Sequence, residues 1–315
     1  MNPLAALYGA AVRARNELYD HNWLTLSRLQ GPVLSVGNLT VGGAGKTPFV
    51  ILLGELLKEY GIPFDVLSRG YRRMTRGVAL VDPKGSPREY GDEPLLIARK
   101  LRVPVIIGED RYAAGRLAEE KMGPRLHVLD DGFQHRRLAR EFDIVLVTAD
   151  DAQDLLLPAG RLREPLSSLR RADAIVLADG TPADGLGLKQ QYVWRVARGI
   201  TAPQTTEPCF AFCGIARPQN FFSQLRTAGI SLAGVATFRD HHRYSGEDVE
   251  KLMRMGEQHG AKAFVTTEKD ALNLGPHLQR LQPLHVVPVR MHLHKVPSVL
   301  EVILATISKR KRRPA

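Results

Sequence analysis

The stretch PVLSVGNLTVGGAGKTPFV, residues 32–50, constrains the fold more than any other part of the chain. An apolar run reads as a buried strand, a glycine-rich turn follows, and residues from about Thr47 to Tyr60 read as a helix. That order is what a phosphate loop needs, because backbone N–H groups and a helix N-terminus then converge on one anion. The generic pattern is Gly, four residues, then Gly-Lys-Ser/Thr. Gly45, Lys46 and Thr47 satisfy its close, but Thr40 stands at its opening position. A glycine-rich turn that ends in Lys-Thr by chance is the plainer alternative, and the strand–turn–helix context weighs against it. Thr40, Val41, Gly42, Gly43, Ala44, Gly45, Lys46 and Thr47 are therefore expected to hold a nucleoside triphosphate. Lys46 would reach the β- and γ-phosphates and the Thr47 hydroxyl would ligate Mg²⁺.

Around this loop the first half of the chain alternates short β-branched runs with helical patterns. FDVLS, VPVIIG, LHVLDDG, FDIVLVTAD and ADAIVLA read as strands; GDEPLLIARKL and DRYAAGRLAEEKM read as helices. The pattern predicts an α/β fold with a doubly wound, mainly parallel sheet. Glycine and proline cluster in TPADGLGLKQQ, after which YVWRVARGI reads as a connecting strand. Beyond it CFAFCGI, LAGVATF and KAFVTTEKD alternate with QNFFSQLRTAG and GEDVEKLMRMGEQHG, and HVVPVRMHL reads as one late strand. We expect a phosphate-loop domain over 1–190 with an N-terminal amphipathic helix, and a smaller α/β domain over 191–315 with linker strands and a basic tail.

A phosphate loop implies a carboxylate at the end of a neighbouring strand, close to the metal. LHVLDDGFQH supplies Asp130 and Asp131, about 85 residues downstream. Phosphoryl transfer to an alcohol also needs a group that receives the hydroxyl proton. Two places offer one: Asp92 and Glu93 in GDEP, and Asp240, His241 and His242 in FRDHHRY. Taken singly, Asp92 could be a helix cap and the histidine pair a solvated loop. Arginines crowd the loops after predicted strands, where an open α/β sheet builds its site.

The formal charge of +11 points to an anionic partner, and the sequence carries no zinc-finger spacing or RNP-like aromatic motif, so nucleic acid is not expected. Two cysteines, Cys209 and Cys213, make no disulfide framework and suit a reducing compartment. No run of 18 apolar residues is present. As a helix, MNPLAALYGAAVRARNELYD lines up Leu4, Leu7, Ala11, Ala14 and Leu18 on one stripe, which could dock on its own domain or on lipid. The tail SKRKRRPA is a second basic element.

GNLTVGGAGKTP, SRGYRR, GDEP, LDDGFQHR, LPAGRLREP, FRDHHRY and VTTEKDA, in this order, resemble the tetraacyldisaccharide 4'-kinase family, the lipid A 4'-kinases of Gram-negative bacteria. The resemblance covers most of the chain, and threonine at the loop's opening is itself a family feature. It implies a P-loop NTPase-like α/β/α sandwich, with a second α/β/α unit joined by a short β linker. The implied reaction moves the γ-phosphoryl of ATP to the 4'-hydroxyl of a tetraacyldisaccharide 1-phosphate, a lipid A precursor. ATP and Mg²⁺ would lie at Lys46 and Thr47, with Asp131 and Asp130 on the metal side. Asp92 would be the base, beside Glu93, paired with His241 or His242 next to Asp240. Arg69, Tyr71, Arg111, Gln134, His135, Arg163 and Glu164 would contact the lipid. The protein would be a peripheral monomer on the anionic cytoplasmic face of the inner membrane, docked through the apolar stripe of residues 4–18. The rivals are a metal-chaperone GTPase, which lacks its guanine-reading motif here, and a soluble small-molecule kinase, which would not need the N-terminal helix.

Overall fold

The computed structural model describes residues 2–311. Its frame is a nine-stranded sheet. In chain order the first eight strands are β1 (Val33–Asn38), β2 (Phe64–Ser68), β3 (Ala79–Leu80), β4 (Val105–Ile107), β5 (Leu126–Asp130), β6 (Phe142–Val147), β7 (Ala174–Ala178) and β8 (Tyr192–Ile200). A four-stranded sheet follows, from β9 (Cys209–Cys213), β10 (Leu232–Thr237), β11 (Ala263–Thr267) and β12 (Leu284–Val287). The chain then returns to the large sheet as β13 (Val289–Leu293).

The large sheet runs β13-β8-β7-β6-β1-β5-β2-β4-β3 and is parallel except at the outer pairs β13/β8 and β3/β4. β1 lies between β5 and β6, so successive connections leave it in opposite directions and open a crevice at the carboxyl ends of the strands. The alternating side chains of these strands feed two layers. Leu34, Val36, Val128 and Ile144 pack under helices Lys46–Glu59 and Asp92–Leu101. Val145, Ile175 and Leu177 face Phe133, Leu162 and Leu169 on the other side. Strands buried on both faces account for the continuous apolar runs in the sequence. The fold is thus the α/β sandwich expected, and Cys209 and Cys213 are free thiols inside the smaller core.

HVVPVRMHL is two strands rather than one. Pro288 has no N–H to give to a ladder, so pairing breaks there. β12 runs parallel to β11 in the small sheet, whereas β13 runs antiparallel to β8 in the large one. β8 and β13 are therefore the β link between the two sheets. The stretch that leads into the basic tail is a helix. Helix Val296–Lys311 buries Val299, Leu300, Ile303 and Ile307 against the main core, and only the last residues of the tail lie outside those described.

The N-terminal helix, Pro3–Asp20, docks by the face opposite its apolar stripe. Gly9 and Asn16 are buried, the Tyr8 hydroxyl donates to the Arg163 carbonyl, and the Asn16 amide donates to Glu164 at 2.8 Å. Leu4 and Leu7 are left 62% and 69% exposed, and Trp23 just beyond the helix is 75% exposed.

Candidate active site

β1 ends at Asn38, and the loop climbs to Gly45, which caps helix Lys46–Glu59 in a left-handed conformation. Gly42, Gly43 and Gly45 have φ of 76°, 67° and 83°, values a side chain would strain. Thr40 is not among the positive-φ residues, so the backbone asks for no glycine there. Its buried hydroxyl instead donates to Asp151 at 3.1 Å and accepts from Asn38 at 2.9 Å. Thr40 thus braces the loop from below, and the cavity wall begins at Val41.

That cavity, of about 550 Å³, opens between the carboxyl edges of the two sheets. Val41 to Thr47 form its floor, and Ala216 and Arg217, from the smaller sheet's side, overhang the loop. A Cβ on Gly42 would stand 3.2 Å from that of Ala216, so the two halves of the chain meet at the phosphate loop.

At the end of β5, Asp130 accepts from Ser68 at 2.9 Å through one oxygen, while its other oxygen is buried without a partner. Burial, Glu93 and Asp131 together push its carboxyl up to about 7. Asp131 takes the opposite course: burial raises it, but Lys46 and Arg163 outweigh that and hold it well below the usual carboxylate range. Arg163 grips Asp131 through both terminal nitrogens, at 2.9 and 3.1 Å. Lys46 is folded back onto the Asn38 side-chain oxygen at 2.8 Å, with Asp131 at 3.4 Å.

On the other flank, 149 residues apart in sequence, His241 Nδ1 lies 2.8 and 2.9 Å from the two oxygens of Asp92. Asp92 is buried behind the wall that Glu93, Asp240 and His241 present to the cavity. His241 holds φ of 59° and its ring meets Tyr71 edge-on at 5.2 Å. His242 turns away, bonding Asp248 at 3.0 Å and stacking on Phe238, so its ring belongs to the cap of helix Gly246–Gln258. The two histidines are thereby distinguished by contact.

Lys269 is the group that sequence reasoning passed over. Its ammonium lies 3.1 Å from Glu93, 3.2 Å from His241 Nε2, 3.5 Å from Asp240 and 4.0 Å from Asp92. Asn273 adds a donor to Asp92 at 3.0 Å. Burial alone would raise Asp92, but Lys269, His241 and Asn273 outweigh it and keep the carboxyl ionised far below its ordinary range. The signal was present in TTEKD, where Thr267 caps helix Glu268–Leu274 and so turns Lys269 toward the cavity, which it lines.

Of the residues expected to contact lipid, Arg69, Tyr71 and Arg163 line the cavity. Arg111, Gln134, His135 and Glu164 do not. Arg111 is buried and donates to the Gly108 and Glu109 carbonyls. Gln134 donates to the Asn38 carbonyl, and Arg15 of the N-terminal helix donates to the Gln134 carbonyl. Burial and Arg111 bring His135 down to about 4. Glu164 is held by Arg171 and Asn16 beneath the N-terminal helix.

The tetraacyldisaccharide-1-P 4'-kinase (LpxK) family model matches residues 1–308. A tetraacyldisaccharide 4'-kinase of Koribacter versatilis is 50% identical, covering 99% of this chain and 100% of its own. That of Geobacter metallireducens is 39% identical over 92% of each. A crystal structure of LpxK from Aquifex aeolicus in complex with ATP superposes with a TM-score of 0.80 at 33% identity, covering 97% of this chain and 98% of the other. The chain belongs to the tetraacyldisaccharide 4'-kinase family.

Proposed function

We propose that the protein transfers the γ-phosphoryl group of ATP to the 4'-hydroxyl of tetraacyldisaccharide 1-phosphate, giving lipid IVA. One observation carries the reading: a phosphate loop and the Asp92–His241 pair, brought from opposite halves of the chain, flank a single cavity. ATP would lie with its phosphate tail on Val41–Thr47. Mg²⁺ fits the acid side of the cavity, where Asp130 offers a buried oxygen with no partner and Thr47 a hydroxyl, with Asp131 beside them. When bound, Mg²⁺ supplies charge that offsets the developing negative charge on the phosphates.

The acceptor oxygen attacks the γ-phosphorus, the bond to the β–γ bridging oxygen breaks, and ADP leaves. The hydroxyl proton passes to the Asp92–His241 pair, with Asp92 as acceptor and Lys269 fixing both groups. A carboxylate of depressed pKa suits a loose transition state in which that proton leaves late. Glu93 and Asp240 bracket Lys269; Arg69, Tyr71 and Arg163 face the acceptor. We place Arg111, Gln134, His135 and Glu164 in support of that wall and of the N-terminal helix. Taking the division of the chain after residue 190, β8 and β13 connect the units, and closure between them excludes water.

A tetraacyl lipid stays in its bilayer, so the enzyme must come to it. The exposed Leu4 and Leu7 support docking of the N-terminal helix on the cytoplasmic leaflet of the inner membrane as a peripheral monomer. Among the described residues no helix is long and apolar enough to cross a membrane. The test is transfer of labelled γ-phosphate to the disaccharide precursor in mixed micelles. Lys46→Ala or Asp92→Asn should lower kcat by about 10² or more with the fold intact. Near-wild-type turnover by folded Asp92→Asn would remove Asp92 from the acceptor role.

A further inference from the structure

We propose that Arg198 is a ligand of the nucleotide's phosphate tail, held against the phosphate loop by β8; this rests on ATP occupying that loop. No motif in the sequence marks it. Arg198 pairs in register with Met291 of β13, and both side chains reach the loop. A Cβ built on Gly45 would lie 2.5 Å from the Met291 methyl and 4.0 Å from Arg198 Nη1. Arg198 also borders both the main cavity and a neighbouring one of about 270 Å³ that shares Gly43 and Ala44 as wall.

Among the described residues the guanidinium has no acceptor. Its Nε is buried without a hydrogen bond, and among the described residues it makes no ion pair. Adjacent Arg217 has already taken the nearby carboxylates, Asp150 at 3.0 Å and Asp151 at 3.3 Å. Burial, and then the charge of Arg217, push Arg198 below the ordinary guanidinium range. An arginine that served packing alone would be expected to find carbonyl or carboxylate oxygens, because a half-buried unpaired cation is costly. Arg198 instead holds an open fork beside a loop built for phosphate, and the fork matches phosphate oxygens.

The side of approach follows from the strand order. β8 lies beyond β7 and β6 from the central β1, whereas Asp130 and Arg69 follow β5 and β2 on the other side. Arg198 therefore meets the triphosphate from the flank opposite the acidic strand end.

The experiment measures binding of ATP and of inorganic tripolyphosphate to the full chain, without lipid, for wild type, Arg198→Met, Arg198→Lys and Lys46→Ala. Arg198→Met should weaken both ligands about tenfold or more, and Arg198→Lys should lose less because it keeps the charge without the fork. The nucleotide-free melting temperature of Arg198→Met should equal or exceed that of wild type, since an uncompensated cation is removed. Wild-type affinity in either folded Arg198 variant overturns the proposal, as does a lowered melting temperature with unchanged affinity. Failure of wild type to bind ATP, or wild-type affinity in Lys46→Ala, would sink the kinase reading itself.

Discussion

Replacing Lys269 by methionine removes one charge from beneath the Asp92–His241 pair while keeping most of the side chain's volume. Lys269 Nζ stands 4.0 Å from Asp92 Oδ2. A unit charge at that distance is worth about 4 kcal/mol at an effective dielectric of about 20, equivalent to about 3 pKa units. The lysine side chain is 17% exposed, and His241 and Asn273 still donate to the carboxylate, so we expect Asp92 to rise by about 1 to 2 units. The Asp92 carboxyl, followed by carboxylate ¹³C NMR in the free enzyme, should titrate higher in the variant than in wild type. In wild type the folded carboxyl is depressed, so its contribution to stability is present above its unfolded value and is lost as pH falls through the folded one. Stranding Asp92, Glu93 and Asp240 should cost about 3 to 5 kcal/mol at neutral pH. Part of that loss should return on acidification, because Asp92 then protonates more readily. The assay is a carboxylate ¹³C NMR titration with denaturant titrations at each pH. A folded Lys269→Met protein with an unmoved Asp92 titration and wild-type stability would refute this account of the site.

Asp130 carries the opposite sign. Its folded carboxyl sits at about 7, so ionising it costs stability as pH rises from its unfolded value toward 7, and a bound cation would repay that cost. Apparent Mg²⁺ affinity, measured by titration in the presence of a nonhydrolysable ATP analogue, should strengthen with pH up to about 7 and then level off, and Asp130→Asn should abolish that dependence. Replacing both Leu4 and Leu7 by aspartate should remove the protein from anionic vesicles in a flotation assay while ATP affinity stays unchanged, since both side chains point to solvent; undiminished flotation would assign membrane contact elsewhere. Glu164→Ala should lower stability by about 3 to 5 kcal/mol, read by chemical denaturation, because Arg171 is left buried without its carboxylate. A variant with wild-type stability and a raised KM for lipid would return Glu164 to the acceptor site.

The order of strands and helices, the phosphate loop and the acidic end of β5 were legible because each is written in contiguous residues. Gly42, Gly43 and Gly45 do occupy the left-handed backbone region. Helix Val296–Lys311 was equally available from the spacing of Val299, Ile303 and Ile307. Pro288 was visible as well; its consequence was not, since a missing N–H says that a ladder breaks without saying which sheet each half will join.

Contacts between distant segments were decided only by packing. His241 and His242 are adjacent and chemically alike, and no local rule separates them. The left-handed turn at 241 aims one at Asp92, and the cap at Asp248 claims the other. The positions of Lys269 under the pair and of Arg198 beside the loop depend on where β11 and β8 pack, which no spacing in the chain encodes. The N-terminal helix makes the same point with the opposite outcome. Its periodicity identified an apolar stripe, but only the docking of Gly9 and Asn16 left that stripe facing outward. Sequence fixes what each segment can present, because backbone propensity and side-chain period act over a few residues. Which groups then share a few ångströms follows from the burial of whole faces.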